Sequence, residues 1–130
     1  MITRVLISFI FVGFSISCSD LGTQPVFDAS INGKSLTLFS EQRFTLELDV
    51  QADAGYQWQA QMSDSTVLKL DSTAYRPKNA GPIMPGGPTV EIFFFCAGNS
   101  GKCTVTLSER HLWLPNDPPR VTLAFIVIVR

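Results

Sequence analysis

The chain is expected to fold as an all-β sandwich of about seven strands. Three observations carry that expectation. Short segments alternate apolar and polar side chains with a period of two. Breaks rich in Gly, Pro and Asn separate those segments. No segment shows a 3.6-residue apolar period bounded by helix caps. The 130 residues suit one domain. A hydrophobic fraction of 45% against 16% charged is enough to fill a core and argues against disorder. A net charge of −1 offers no basic surface for nucleic acid. One His and three Cys provide no metal set and no nucleophile constellation, so neither a cofactor nor an enzyme is expected.

The N-terminus reads as a targeting segment. Arg4 supplies a positive charge, and the apolar run from Val5 to Phe14 is about ten residues, short of the roughly 20 a spanning helix needs. The segment ends Ser15-Ile16-Ser17-Cys18, a small residue just before a cysteine, which resembles the lipobox of bacterial lipoproteins. That resemblance implies a signal peptide over 1–17 and lipidation of Cys18. It also implies a cell-envelope location with a membrane anchor, and Ser19 in place of Asp favours the outer membrane. The alternative is an ordinary signal peptide with a chance cysteine. Residues 18–27 then form the lipidated Cys and a polar tether carrying Gly22 and Pro25, and residues 28–130 the domain.

Along the domain, Asn32-Gly33 between 29–31 and 35–38 suggests a type I′ hairpin. Arg43 to Val50 alternates cleanly, with Phe44, Leu46, Leu48 and Val50 on one face. Tyr56 to Gln59 repeats the pattern, which makes Trp58 a core residue, and Val67 to Tyr75 is a weaker strand. Arg76 to Pro88, with four prolines and three glycines, reads as a long loop. In Thr89 to Ala97, Val90, Ile92, Phe94 and Cys96 share a face opposite Phe93 and Phe95, which are expected to fill the core. After a turn at 97–102, Cys103, Val105 and Leu107 share a face. Cys96 and Cys103 are thus expected to meet across a hairpin as a disulfide in an oxidising compartment. Glu109 to Arg120 is a second irregular stretch, and Val121 to Val129 is apolar on both faces, as a covered central strand would be.

Three of the breaks carry a resemblance. Gln51-Ala52-Asp53-Ala54-Gly55-Tyr56-Gln57-Trp58 is similar to the Asn-Pro-Thr-Thr-Gly-(Phe/Tyr)-x-Trp loop of the chagasin family, with the first four positions different. Met84-Pro85-Gly86-Gly87 resembles that family's Gly-x-Gly-Gly, and His111-Leu112-Trp113 its Arg-Pro-Trp, of which the Trp is kept. The resemblance covers roughly 28–130. It implies an immunoglobulin-like sandwich and reversible, tight-binding inhibition of papain-like cysteine proteases by a monomer. It places protease contacts at Asp53, Ala54, Gly55, Tyr56, Met84, Pro85, Gly86, Gly87, His111, Leu112 and Trp113. Each residue also has a plainer reading. Trp113 can cover the core, Gly86-Gly87 can be turn chemistry, and His111 can be an ordinary surface residue. The alternative for the whole protein is an envelope lipoprotein whose sandwich serves as a structural or interaction module without inhibiting.

Overall fold

In a computed structural model, which describes residues 24–78, 88–111, 113–114 and 116–130, the chain forms two packed four-stranded sheets. The strands are β1 (Val26–Phe27), β2 (Ser35–Leu38), β3 (Arg43–Val50), β4 (Tyr56–Met62), β5 (Leu68–Pro77), β6 (Thr89–Ala97), β7 (Gly101–His111) and β8 (Val121–Val129). One sheet has the order β1-β3-β6-β5 and the other β2-β8-β7-β4. This is the expected immunoglobulin-like sandwich, with eight strands where about seven were expected. No described helix is long and apolar enough to cross a membrane.

The core follows from the alternation. Phe44, Leu46 and Leu48 of β3, Phe93 and Phe95 of β6, Val105 and Leu107 of β7, and Phe125 and Val127 of β8 are all buried between the sheets. Phe44 stacks on Phe95 at 5.0 Å and meets Phe125 edge-on at 6.3 Å, which ties the two sheets together. Trp58 is buried, as expected, and its indole N–H donates to the Asp49 carbonyl at 2.9 Å.

Several sequence expectations are corrected. Ala29–Ile31 is a 3-10 turn capped by Asp28, not a strand. Asn32 (φ −53°, ψ 127°) and Gly33 (φ 79°) make a type II turn, closed by the Lys34 N–H to the Ile31 carbonyl, instead of a type I′ hairpin. The Asn32 side chain accepts from the Ala124 N–H, so it extends the pairing of β8. Strand β1 pairs with β3 and carries the sandwich two residues ahead of the expected start at 28. Strand β5 runs to Pro77 and β7 to His111, so Arg76 and Glu109 belong to strands, not loops. Strand β8 is central within its sheet, but its outer face is not covered: Ala124 is exposed, and Ile126 and Ile128 are half-buried.

The Cys96–Cys103 disulfide is also corrected. Strands β6 and β7 do not form a hairpin; they belong to different sheets, and residues 98–100 cross between them. The core face of β6 is Glu91-Phe93-Phe95-Ala97, so Cys96 lies on the outer face of its sheet. Cys103 points into the core of the other sheet as a fully buried free thiol. Both faces of β6 are apolar in sequence, and the choice between them falls to the partner strands.

Candidate functional site

Three connections gather at one end of the sandwich. The pairings Val50 with Thr89, Pro77 with Thr89, Tyr56 with His111 and Glu109 with Val121 bring the ends of six strands to a common level. The β3–β4, β5–β6 and β7–β8 connections start from that level. The β5–β6 connection is hydrogen-bonded across its base, Lys78 N–H to the Pro88 carbonyl at 2.9 Å. Met84, Pro85, Gly86 and Gly87 lie outside the described residues, as do Leu112, Cys18 and the side chain of Asp53.

The first connection is a short 3-10 turn, Ala52–Ala54, ended by Gly55 in the left-handed conformation (φ 85°, ψ 10°). The Gly55 N–H bonds the Ala52 carbonyl, and the Tyr56 N–H returns to the Gln51 carbonyl. A left-handed φ favours glycine, and here space requires it as well. A Cβ at Gly55 would collide with the outer edge of the six-membered ring of Trp113, at Cη2 and Cζ3. The indole meets Gly55 by its edge while remaining 63% exposed, so Trp113 is no lid over the core. Ala52 and Ala54 form a small, exposed crest beside it.

His111 is not an ordinary surface residue. Its ring stacks on Tyr56 at 3.9 Å and on Trp113 at 5.0 Å, making a three-ring pile that joins the first and third connections. Its Nε2 lies 3.2 Å from the Ala54 carbonyl and its Nδ1 3.5 Å from the Asp117 carboxylate. Gly55, Tyr56, His111 and Trp113, all expected from sequence, are therefore brought into contact.

A polar cluster lies beneath the pile. Glu91 and Glu109 each project from a core-facing position and are 1% exposed. Glu91 accepts from the Trp58 backbone N–H and from the Tyr75 hydroxyl, both at 2.9 Å. Burial pushes the Glu91 carboxyl up from its ordinary value; these two hydrogen bonds oppose the rise, and the charge of Glu109 adds to it. Tyr75 is pushed up to about 12 by burial, by its bond to Glu91 and by that carboxylate's charge. Glu109 accepts from Arg120 Nε at 2.7 Å, and the same guanidinium donates to the Gln51 side chain at 3.1 Å. No group of three or more His, Cys, Asp or Glu placed to hold a metal occurs among the described residues.

The geometry of this end coincides with a sequence match: residues 37–127 match the family described as chagasin family peptidase inhibitor I42. The chain belongs to the chagasin family. That family comprises peptidase inhibitors, not enzymes. Solved structures agree on the fold. The cysteine protease inhibitor EhICP2 from Entamoeba histolytica superposes with a TM-score of 0.72 at 16% identity, over 82% of this chain and 95% of that one. Amebosin gives a TM-score of 0.70 at 19% identity, over 84% of this chain and 100% of its own. PbICP-C, solved in complex with falcipain-2, gives 0.52 at 14% identity, over 86% and 95%. No curated protein matches the chain in sequence.

Within this chagasin-family chain, sequence reasoning found the aromatic residues and missed Gln51, Glu91, Glu109 and Arg120. The two glutamates did carry a signal. Glu91 stands in phase with Phe93 and Phe95, and Glu109 in phase with Val105 and Leu107, so each is a charge at an apolar position. Gln51 and Arg120 lie in connections without periodicity and carried none.

Proposed function

We propose that this chagasin-family protein is a reversible, tight-binding inhibitor of papain-like cysteine proteases and that it acts through the connections at one end of the sandwich. The observation that carries this reading is the contact of Trp113 with Gly55. It gives a rigid, exposed aromatic side chain fixed beside a crest of small residues, Ala52 and Ala54. A protease cleft holding a thiolate–imidazolium pair is blocked by backbone that enters closely without offering a cleavable, extended peptide. Small residues permit that approach, and an exposed Trp supplies the kind of anchor that dominates interface energy. The sandwich holds both in advance, which limits the entropy lost on binding. The relatives support the same reading: EhICP2 is a cysteine protease inhibitor and PbICP-C is solved in complex with falcipain-2. Met84 to Gly87 belong in this reading to a second contacting loop along the cleft wall.

The lipoprotein reading joins it. Strand β1 runs parallel to β3, with Val26 opposite Thr45, so the chain enters the sandwich at the end away from Gly55 and Trp113. A lipid on Cys18, at the head of a tether that ends before β1, would leave the Trp113 end facing away from the membrane. Titration against papain and a cathepsin tests the inhibitor reading. The expected result is stoichiometric, reversible loss of activity. Full protease activity in the presence of excess folded protein contradicts it and favours a structural or interaction module.

A further inference from the structure

We propose that Arg120 is a positioning residue that locks the β3–β4 connection to the β7–β8 connection and so holds Trp113 over Gly55. The proposal rests on the inhibitor reading for its functional consequence, though not for its geometry. Arg120 is the residue immediately before β8, and its backbone N–H bonds the Glu109 carbonyl at 2.8 Å. Its guanidinium then makes three separate attachments. Nε and one terminal nitrogen both lie 2.7 Å from Glu109 Oε1, a carboxylate that is 1% exposed on a strand inside the sheet. The other terminal nitrogen donates to Gln51 Oε1, where the first connection begins. The plane sits 4.6 Å from the centre of the Tyr56 ring, on the residue that ends that connection.

The arrangement fits a planar fork and no other side chain. A buried carboxylate fixes one edge of the guanidinium, and its remaining donor and its face are then aimed at the first connection. Tyr56 in turn carries His111, and His111 carries Trp113. A lysine can neutralise Glu109 as a point charge, but it cannot also reach Gln51 and cover Tyr56. If Arg120 served only to neutralise a buried carboxylate, Arg120→Lys would preserve everything that matters. If it positions the loops, Arg120→Lys keeps the fold and loses the arrangement.

The test reads the free protein and the complex separately. The edge of the Trp113 ring packs against Gly55, so its ring current displaces the Gly55 α-proton shifts from their ordinary values in the NMR spectrum of the full chain. In Arg120→Lys that shift should collapse while the dispersed core methyl signals persist. Dissociation of the papain complex should accelerate about tenfold, the loss expected for a charge-assisted hydrogen bond and its stacking contact. Gln51→Ala, which leaves the Arg120–Glu109 pair intact, should reduce the Gly55 shift in the same direction and serves if Arg120→Lys does not fold. Unchanged Gly55 shifts in both variants would overturn the proposal, as would unchanged dissociation from a protease that the wild type inhibits. A wild type that inhibits nothing would defeat the inhibitor reading alone, and the Gly55 shifts would still decide the role of Arg120.

Discussion

Replacing Gly55 with Ala puts a methyl group where the Trp113 ring now lies, and it places a β-carbon on a left-handed residue. The two consequences have different sizes and different readouts. The backbone conformation costs an L-residue about 1–2 kcal/mol, and a domain of this length loses roughly 4–8 °C of melting temperature for each. The collision is relieved by Trp113, not by the core, because the indole is largely exposed and sits in a connection. Losing a pre-positioned aromatic anchor weakens binding by about 2–4 kcal/mol, which is about 30-fold to several hundredfold in the inhibition constant. Gly55→Asn separates the terms, since Asn tolerates the left-handed region but still carries a Cβ. Thermal unfolding and papain inhibition should be measured on both variants. Asn should recover most of the lost stability and none of the lost inhibition. Either variant inhibiting as well as the wild type would refute the claim that Gly55 matters by admitting Trp113.

Further outcomes follow from the same geometry. Trp113→Ala should weaken inhibition into the same range as Gly55→Ala with little change in melting temperature, because no core surface is uncovered; a stability loss without an inhibition loss would make Trp113 a structural cover after all. Glu91 holds its proton to a higher pH in the folded state than in the unfolded chain, so its contribution is present on the acid side and is lost as pH rises through the raised value. Glu91→Gln should therefore flatten a decline in stability with rising pH, measured by denaturant titration across the range; identical pH profiles would contradict the assignment. Cys103 should resist alkylation in the native protein and react once unfolded, and Cys103→Ser should cost about 1–3 kcal/mol by burying a hydroxyl in the core. Mass spectrometry of membrane-extracted protein should find Cys18 acylated at the N-terminus; an unmodified peptide spanning Ser17 to Asp20 would reject the lipid anchor.

Much of the sandwich could be read from alternation alone. Arg43 to Val50 and Thr89 to Ala97 are strands because every second residue is apolar, and Trp58 is buried because it falls in phase with Tyr56. Alternation does not say which sheet a strand joins. Strands β6 and β7 are separated by only three residues, which suits a hairpin, yet they sit in opposite sheets, and that misassignment produced the disulfide expectation. Nor does alternation choose a face when both are apolar, as on β6, where Phe93 and Phe95 face inward and Cys96 does not. At the candidate site, Gly55, Tyr56 and Trp113 were visible through their resemblance to the loop motifs of the chagasin family. The attachments that hold them were not, because Arg120 reaches Gln51 across 69 residues of sequence, and such pairings are fixed by topology.

The central claim, that the Trp113-bearing end of this sandwich blocks a papain-like cleft, is tested most directly by titrating active-site-calibrated papain with the purified protein and with Trp113→Ala in parallel. The account predicts loss of activity at equimolar wild-type protein, recovery on dilution, and a curve for Trp113→Ala displaced by at least about tenfold. Papain that stays fully active beside folded wild-type protein, or is inhibited equally by both forms, would contradict it.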